Sequence, residues 1–68
     1  MTNPIKQIRE KMKLNQAEFA KLVGTKQSAI CLWESGQRYP LRKSFLKLLR
    51  LAKKFELENA FISYIEKE

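Results

Sequence analysis

The chain has 68 residues, 14 Lys/Arg against 7 Asp/Glu, one cysteine, no histidine and a net charge of +7. A single cysteine excludes an internal disulfide and fits a reducing, cytoplasmic compartment, and without histidine a zinc site lacks ligands. No stretch approaches the roughly 18 uncharged apolar residues of a membrane span, the N-terminus does not read as a signal peptide, and the length fits one domain, residues 1–68, with a thin stability margin.

The charge is uneven. Residues 1–54 carry a net charge of +10 and residues 55–68 a net of −3. A polyanion is therefore attracted to the first part of the chain and repelled by the second. No run of alternating β-branched or aromatic residues predicts a strand, whereas helical spacing recurs throughout.

Ile5, Ile8, Arg9 and Met12 share one face of a first helix, and Pro4 suits its first turn. Asn15, with Glu18 three residues on, predicts the capped start of a second helix that buries Phe19, Ala20 and Val23 and stops at Gly24. After Thr25 and Lys26, a third helix begins at Gln27, turns Ala29, Ile30 and Trp33 inward, and stops at Gly36. Gln37 to Pro40 reads as a loop. A fourth helix is predicted over about 43–53, burying Phe45, Leu48, Leu49 and Ala52, and a fifth over 57–67. The expectation is an all-α bundle of five short helices.

Two short helices joined by a glycine turn, within residues 16–36, form a helix-turn-helix whose second member can project into a major groove about 12 Å wide. The run Leu14-Asn15-Gln16-Ala17-Glu18-Phe19-Ala20, with Val23-Gly24, Ile30, Trp33-Glu34-Ser35-Gly36, Pro40 and Arg9, resembles the lambda-repressor/Cro family, also called the xenobiotic-response-element family. The resemblance covers about residues 5–52. It implies a lambda-repressor-like bundle and a cytoplasmic regulator that binds double-stranded operator DNA as a two-fold homodimer. It implies no cofactor and no small-molecule substrate.

That resemblance assigns roles. Gln16 would bond a DNA phosphate and brace the glutamine of the third helix, and a helix N-terminus favours anions in any case. Gln27 and Ser28 stand where side chains reach base edges, and a glutamine amide can pair with adenine N6 and N7 together. Lys26 departs from the Ser or Thr usual in the family, leaving Thr25 as an alternative cap, and its charge suits a phosphate or guanine. Leu32 replaces a polar groove-facing residue and is suited to touch a thymine methyl or to pack locally. Cys31, beside that face, reads as a small, inert or partly exposed residue. Arg38, Arg42 and Lys43 flank Pro40 where the family meets the phosphate backbone. Arg9 and Glu34 would form an ion pair between the first and third helices.

Enzyme chemistry is excluded for want of a nucleophile, base and orienting group. A DNA-binding antitoxin or a restriction-system controller would share every feature named, and the short chain favours the Cro-like reading. The basic amphipathic segment from Leu41 to Phe55 also matches membrane-surface or partner-binding helices, although its apolar side is needed to close the core. In the last helix Leu57, Phe61, Ile62, Tyr64 and Ile65 offer more apolar surface than the core requires, with the surplus available to a second subunit.

Overall fold

Asn3 starts the first helix: its side-chain oxygen accepts from the Ile5 and Lys6 amides at 2.8 and 3.3 Å. Pro4 follows in the first turn, where a missing amide hydrogen has no consequence. The computed structural model describes residues 3–66, and these form five helices with no strand among them. They are α1 (Pro4–Lys11), α2 (Gln16–Val23), α3 (Gln27–Ser35), α4 (Arg42–Lys54) and α5 (Glu58–Glu66). The fourth helix exceeds its predicted span by one residue at each end. Leu57 immediately precedes α5, and Lys67, the last residue of the predicted segment, lies outside the described residues.

The first four helices stop in the same way. In each, an amide five residues along bonds back to a carbonyl in the last turn: Leu14 to Arg9, Thr25 to Ala20, Gln37 to Leu32 and Leu57 to Ala52, at 2.7–3.3 Å. The residue before that amide is left-handed: Lys13 (φ 59°), Gly24 (φ 88°), Gly36 (φ 81°) and Glu56 (φ 58°). Glycine takes this conformation freely. Lys13 and Glu56 do so against the clash of their Cβ atoms, so nothing in residue type announces those two ends.

The core takes side chains from every helix: Ile5 and Ile8, Phe19, Ala20 and Val23, Ile30 and Trp33, Leu48 and Ala52, and Phe61. Fully burying one such large side chain contributes about 1.5–3 kcal/mol, which sets the scale of what the bundle can oppose to chain entropy. The Phe45 ring stacks on Phe61 with centroids 5.4 Å apart, closing α4 over α5. At the end of α3 the Trp33 carbonyl accepts two long-range bonds, from Tyr64 Oη at 2.6 Å and Asn3 Nδ2 at 3.1 Å. One backbone oxygen thus joins α3 to the start of α1 and to α5. Burial pushes the Tyr64 hydroxyl above its ordinary pKa, keeping it a neutral donor.

The apolar sides of the last two helices are largely taken up by the core. The apolar side of α4 is occupied: Leu48 and Ala52 are buried, and Phe45, Leu49 and Leu51 pack against the core. No described helix is long and apolar enough to cross a membrane. In α5, Phe61 is buried and Leu57, Tyr64 and Ile65 pack on the core, leaving less surplus than the composition suggested. The large apolar side chains that stand exposed are instead Leu22, Leu41 and Leu46.

The left-handed residues generate a test. Replacing Glu56 or Lys13 with glycine removes a Cβ clash while loosening the unfolded chain, so each change should stabilise by up to about 1 kcal/mol. Urea unfolding of Glu56→Gly and Lys13→Gly should show higher midpoints than the parent; lower midpoints would show that the strain is absent.

Candidate nucleic-acid interface

The bend between α2 and α3 is made by Gly24, whose amide and that of Thr25 both bond to the Ala20 carbonyl at 2.8 and 2.9 Å. The two helices share the largest part of the tertiary packing, through Phe19, Ala20 and Val23 against Ile30 and Trp33. With Ile30 and Trp33 turned inward, the opposite side of α3 is free, and Gln27, Ser28, Cys31 and Ser35 are exposed along it. This side is polar apart from the thiol.

The orientation of α3 is held by charge. Arg9 donates to Glu34 through Nε at 2.7 Å and Nη2 at 3.3 Å, and its Nη1 donates to the Leu14 carbonyl at 2.9 Å. Only 14% of the Arg9 side chain and 7% of Glu34 reach solvent. The hydrogen bond to Glu34 raises the Arg9 pKa above its ordinary value, so the guanidinium stays charged at any working pH. Gln16 Nε2 also donates to Glu34, at 3.1 Å. One carboxylate on α3 therefore binds α1 and α2 together.

This changes the place of Gln16. The resemblance had it bracing the glutamine of the third helix, but no hydrogen bond joins it to Gln27. An ionised carboxylate within reach attracts the amide more strongly than a neutral glutamine would. Gln16 remains at the first position of α2, half-buried, with its side-chain oxygen not engaged by these bonds.

The helix starts fall into two kinds. Asn3 caps α1 and Asn15 caps α2, the latter reciprocally with Glu18: Glu18 N donates to Asn15 Oδ1 at 2.8 Å and Asn15 N to Glu18 Oε1 at 2.9 Å. Before α3 the cap position is Lys26, and before α4 it is Leu41; neither side chain makes a cap hydrogen bond. Thr25 does not cap α3, because Lys26 intervenes in extended conformation and the helix begins at Gln27. Both uncapped starts carry positive charge, from Lys26 and from Arg42 and Lys43, where the helix dipole disfavours cations.

These two starts border one open groove of about 510 Å³. Lys26, Ser28 and Leu32 line it from the α3 side, Arg38 and Tyr39 from the loop, and Leu41 and Ser44 from the start of α4. Leu32 is half-buried along the groove wall, so it packs locally while keeping an apolar edge open. Gln27 lies outside the groove on the free side of α3. Arg42 and Lys43 are exposed at the first turn of α4, next to lining residues but not among them. Tyr39 is supported from behind by the Tyr64 ring, 5.2 Å between centroids, so α5 backs the loop that carries Arg38.

One residue gains importance. Cys31 stands three positions after Ser28 and four after Gln27 and is exposed, which places it within the free side of α3 rather than beside it. The helical spacing from Gln27 and Ser28 alone indicates this. Among the described residues no group of His, Cys, Asp or Glu could hold a metal.

The bend, the projecting polar helix and the basic loop define a helix-turn-helix DNA-binding protein. The family model for the helix-turn-helix matches residues 5–58, most of the chain, and the protein belongs to that family in its lambda-repressor/Cro-like form. It is a DNA-binding transcriptional regulator. No curated protein and no solved structure matched the chain.

Removing Glu34 would leave Arg9 charged, largely enclosed and without its carboxylate partner. Glu34→Ala should therefore destabilise by about 3 kcal/mol, the lower part of the range for broken buried pairs. Combining Arg9→Met with Glu34→Leu should recover most of the loss, since an apolar pair removes both desolvation penalties. Thermal and urea unfolding of the three variants checks this; a mild effect of Glu34→Ala alone would contradict it.

Proposed function

We propose that the protein is a Cro-like repressor that binds a pseudo-palindromic operator as a homodimer, with α3 in the major groove. The observation that carries this reading is the contrast between helix starts. The starts of α1 and α2 are capped by asparagine, whereas those of α3 and α4, which border the groove, have no side-chain cap and are cationic. No protein group accepts from the Gln27 and Ser28 amides. Such starts are unfavourable in isolation, and a DNA phosphate would satisfy both the amides and the lysine or arginine charges.

In this reading Lys26, Arg38, Arg42 and Lys43 hold phosphates on either side of the groove and fix the register of the protein on the duplex. Gln16, at the start of α2, adds a phosphate contact through its side-chain oxygen. Gln27 and Ser28 read base edges, with Gln27 suited to adenine N6 and N7. Leu32 offers its open apolar edge to a thymine methyl. Arg9 and Glu34 stay within the protein and set the angle of α3. The whole of residues 1–68 serves as one DNA-binding domain, with Leu57, Phe61, Tyr64 and Ile65 packing on the core and the segment 57–67 contributing to the contact between subunits.

Selection of bound sequences from a random duplex pool tests the assignment. The enriched site should hold two inverted half-sites about 10 base pairs apart. Gln27→Ala should lose preference at one base pair of each half-site, worth about 1–3 kcal/mol, with the rest unchanged. An unaltered preference in the variant would remove Gln27 from the reading surface.

The position of Cys31 supplies a second test. Alkylation with a bulky maleimide should abolish binding to the selected duplex without unfolding the protein, and Cys31→Ala should bind normally and resist the reagent. Full binding by the alkylated protein would exclude the free side of α3 from the groove.

A further inference from the structure

The exposed side of α4 carries more positive charge than the half-site contacts use. Lys43, Lys47, Arg50 and Lys54 are spaced four, three and four residues apart, which puts them in one row along the helix. All four are exposed. At 1.5 Å per residue the row extends about 16 Å.

None of the four has an ion-pair partner among the described residues, although Glu18, Glu56 and Glu58 are available to the fold. Lys47 instead donates to the Val23 carbonyl at 3.3 Å, leaning on the turn that leads into α3. Lys54 lies 5.9 Å from the centre of the Phe55 ring. Each adjacent pair in the row is a like-charge pair at three or four residues, which weakens a helix. The row also continues a first turn that is already cationic and uncapped. A helix so arranged is eased by an extended polyanion laid along it.

We infer that Lys47, Arg50 and Lys54 form a second contact surface for the phosphodiester backbone of duplex DNA, beyond the segment read by α3. Two placements favour DNA over an anionic lipid surface. The row starts at Lys43, at the edge of the proposed interface, and Lys47 leans on the α2–α3 turn, so one duplex can meet both surfaces in continuity. The apolar side chains that would enter a bilayer from α4 are occupied in the core. This inference rests on the DNA-binding reading and extends it from the half-site to its flank.

The test compares two duplexes carrying the sequence that the wild-type protein selects from a random pool: one trimmed to the selected base pairs, the other extended by about ten base pairs, one helical turn, at each end. Three additional phosphates per protomer would steepen the log–log salt slope by about 2.7. The extended duplex should therefore lose roughly 40-fold more affinity per protomer than the trimmed one between 50 and 200 mM salt. The triple variant Lys47→Gln, Arg50→Gln, Lys54→Gln should bind both duplexes alike, with wild-type sequence preference and an unfolding midpoint no lower than the parent. The single change Lys54→Gln, farthest from the turn, should remove about one third of the added slope.

Equal binding of the wild-type protein to both duplexes would overturn the flank contact alone. Failure to bind either duplex would overturn the DNA-binding reading and the inference with it. Binding to phosphatidylglycerol vesicles that the triple variant loses, without any dependence on duplex length, would overturn the inference in favour of a lipid surface.

Discussion

Glu34 is the point at which the first three helices agree on an arrangement. Its carboxylate faces the Arg9 guanidinium from α1 and the Gln16 amide from α2, while its own helix carries the residues proposed to meet DNA. An apolar contact in this place would hold the helices together without fixing their rotation. A forked guanidinium on a carboxylate is directional, and it restricts both the angle and the register of α3. The low exposure of the pair makes it sensitive to loss of one member, because an isolated charge has too little water to replace its partner.

Around that junction the molecule separates interior order from surface tension. The starts of α1 and α2 each carry a side-chain cap, and among the described residues no buried side-chain polar atom lacks a partner. The starts of α3 and α4 are left with unanswered amides and repelling cations. Placing the dissatisfaction at the surface leaves the core free of it, and a small bundle with little stability in reserve tolerates charge at its edge better than a defect inside. The same division explains why α4 can be both a core helix and a basic surface: its two sides face different environments.

Much of the fold was legible because glycine and asparagine carry conformational information in their own chemistry. Gly24 and Gly36 marked two helix ends, Asn15 with Glu18 marked a start, and the apolar spacing located Ile5, Phe19, Ile30 and Leu48 on inward faces. The ends at Lys13 and Glu56 were hidden, since the left-handed position there is filled by residues whose type gives no sign of it. Asn3 looks like an ordinary polar terminal residue in sequence, and only the folded chain brings the Trp33 carbonyl beside it. At the candidate site, the exposed row of Gln27 and Ser28 followed from helix periodicity. The attachment of Gln16 to Glu34 did not, as the competition between two acceptors depends on distances that only the folded chain sets. The extent of α5 buried by the core was likewise undecidable from composition, for its apolar residues outnumber the places that periodicity alone assigns.

The junction at the Trp33 carbonyl makes the molecule its own spectroscopic probe. Trp33 is the sole indole in the chain, it sits on α3, and its backbone oxygen is grasped by Asn3 from one side and Tyr64 from the other. Its indole fluorescence therefore comes from a known place, the seat of the projecting helix, with no second indole to overlap it. A ligand that tilts α3 or loosens α5 changes the surroundings of that one ring, and intensity or wavelength can follow the event in real time without an attached dye.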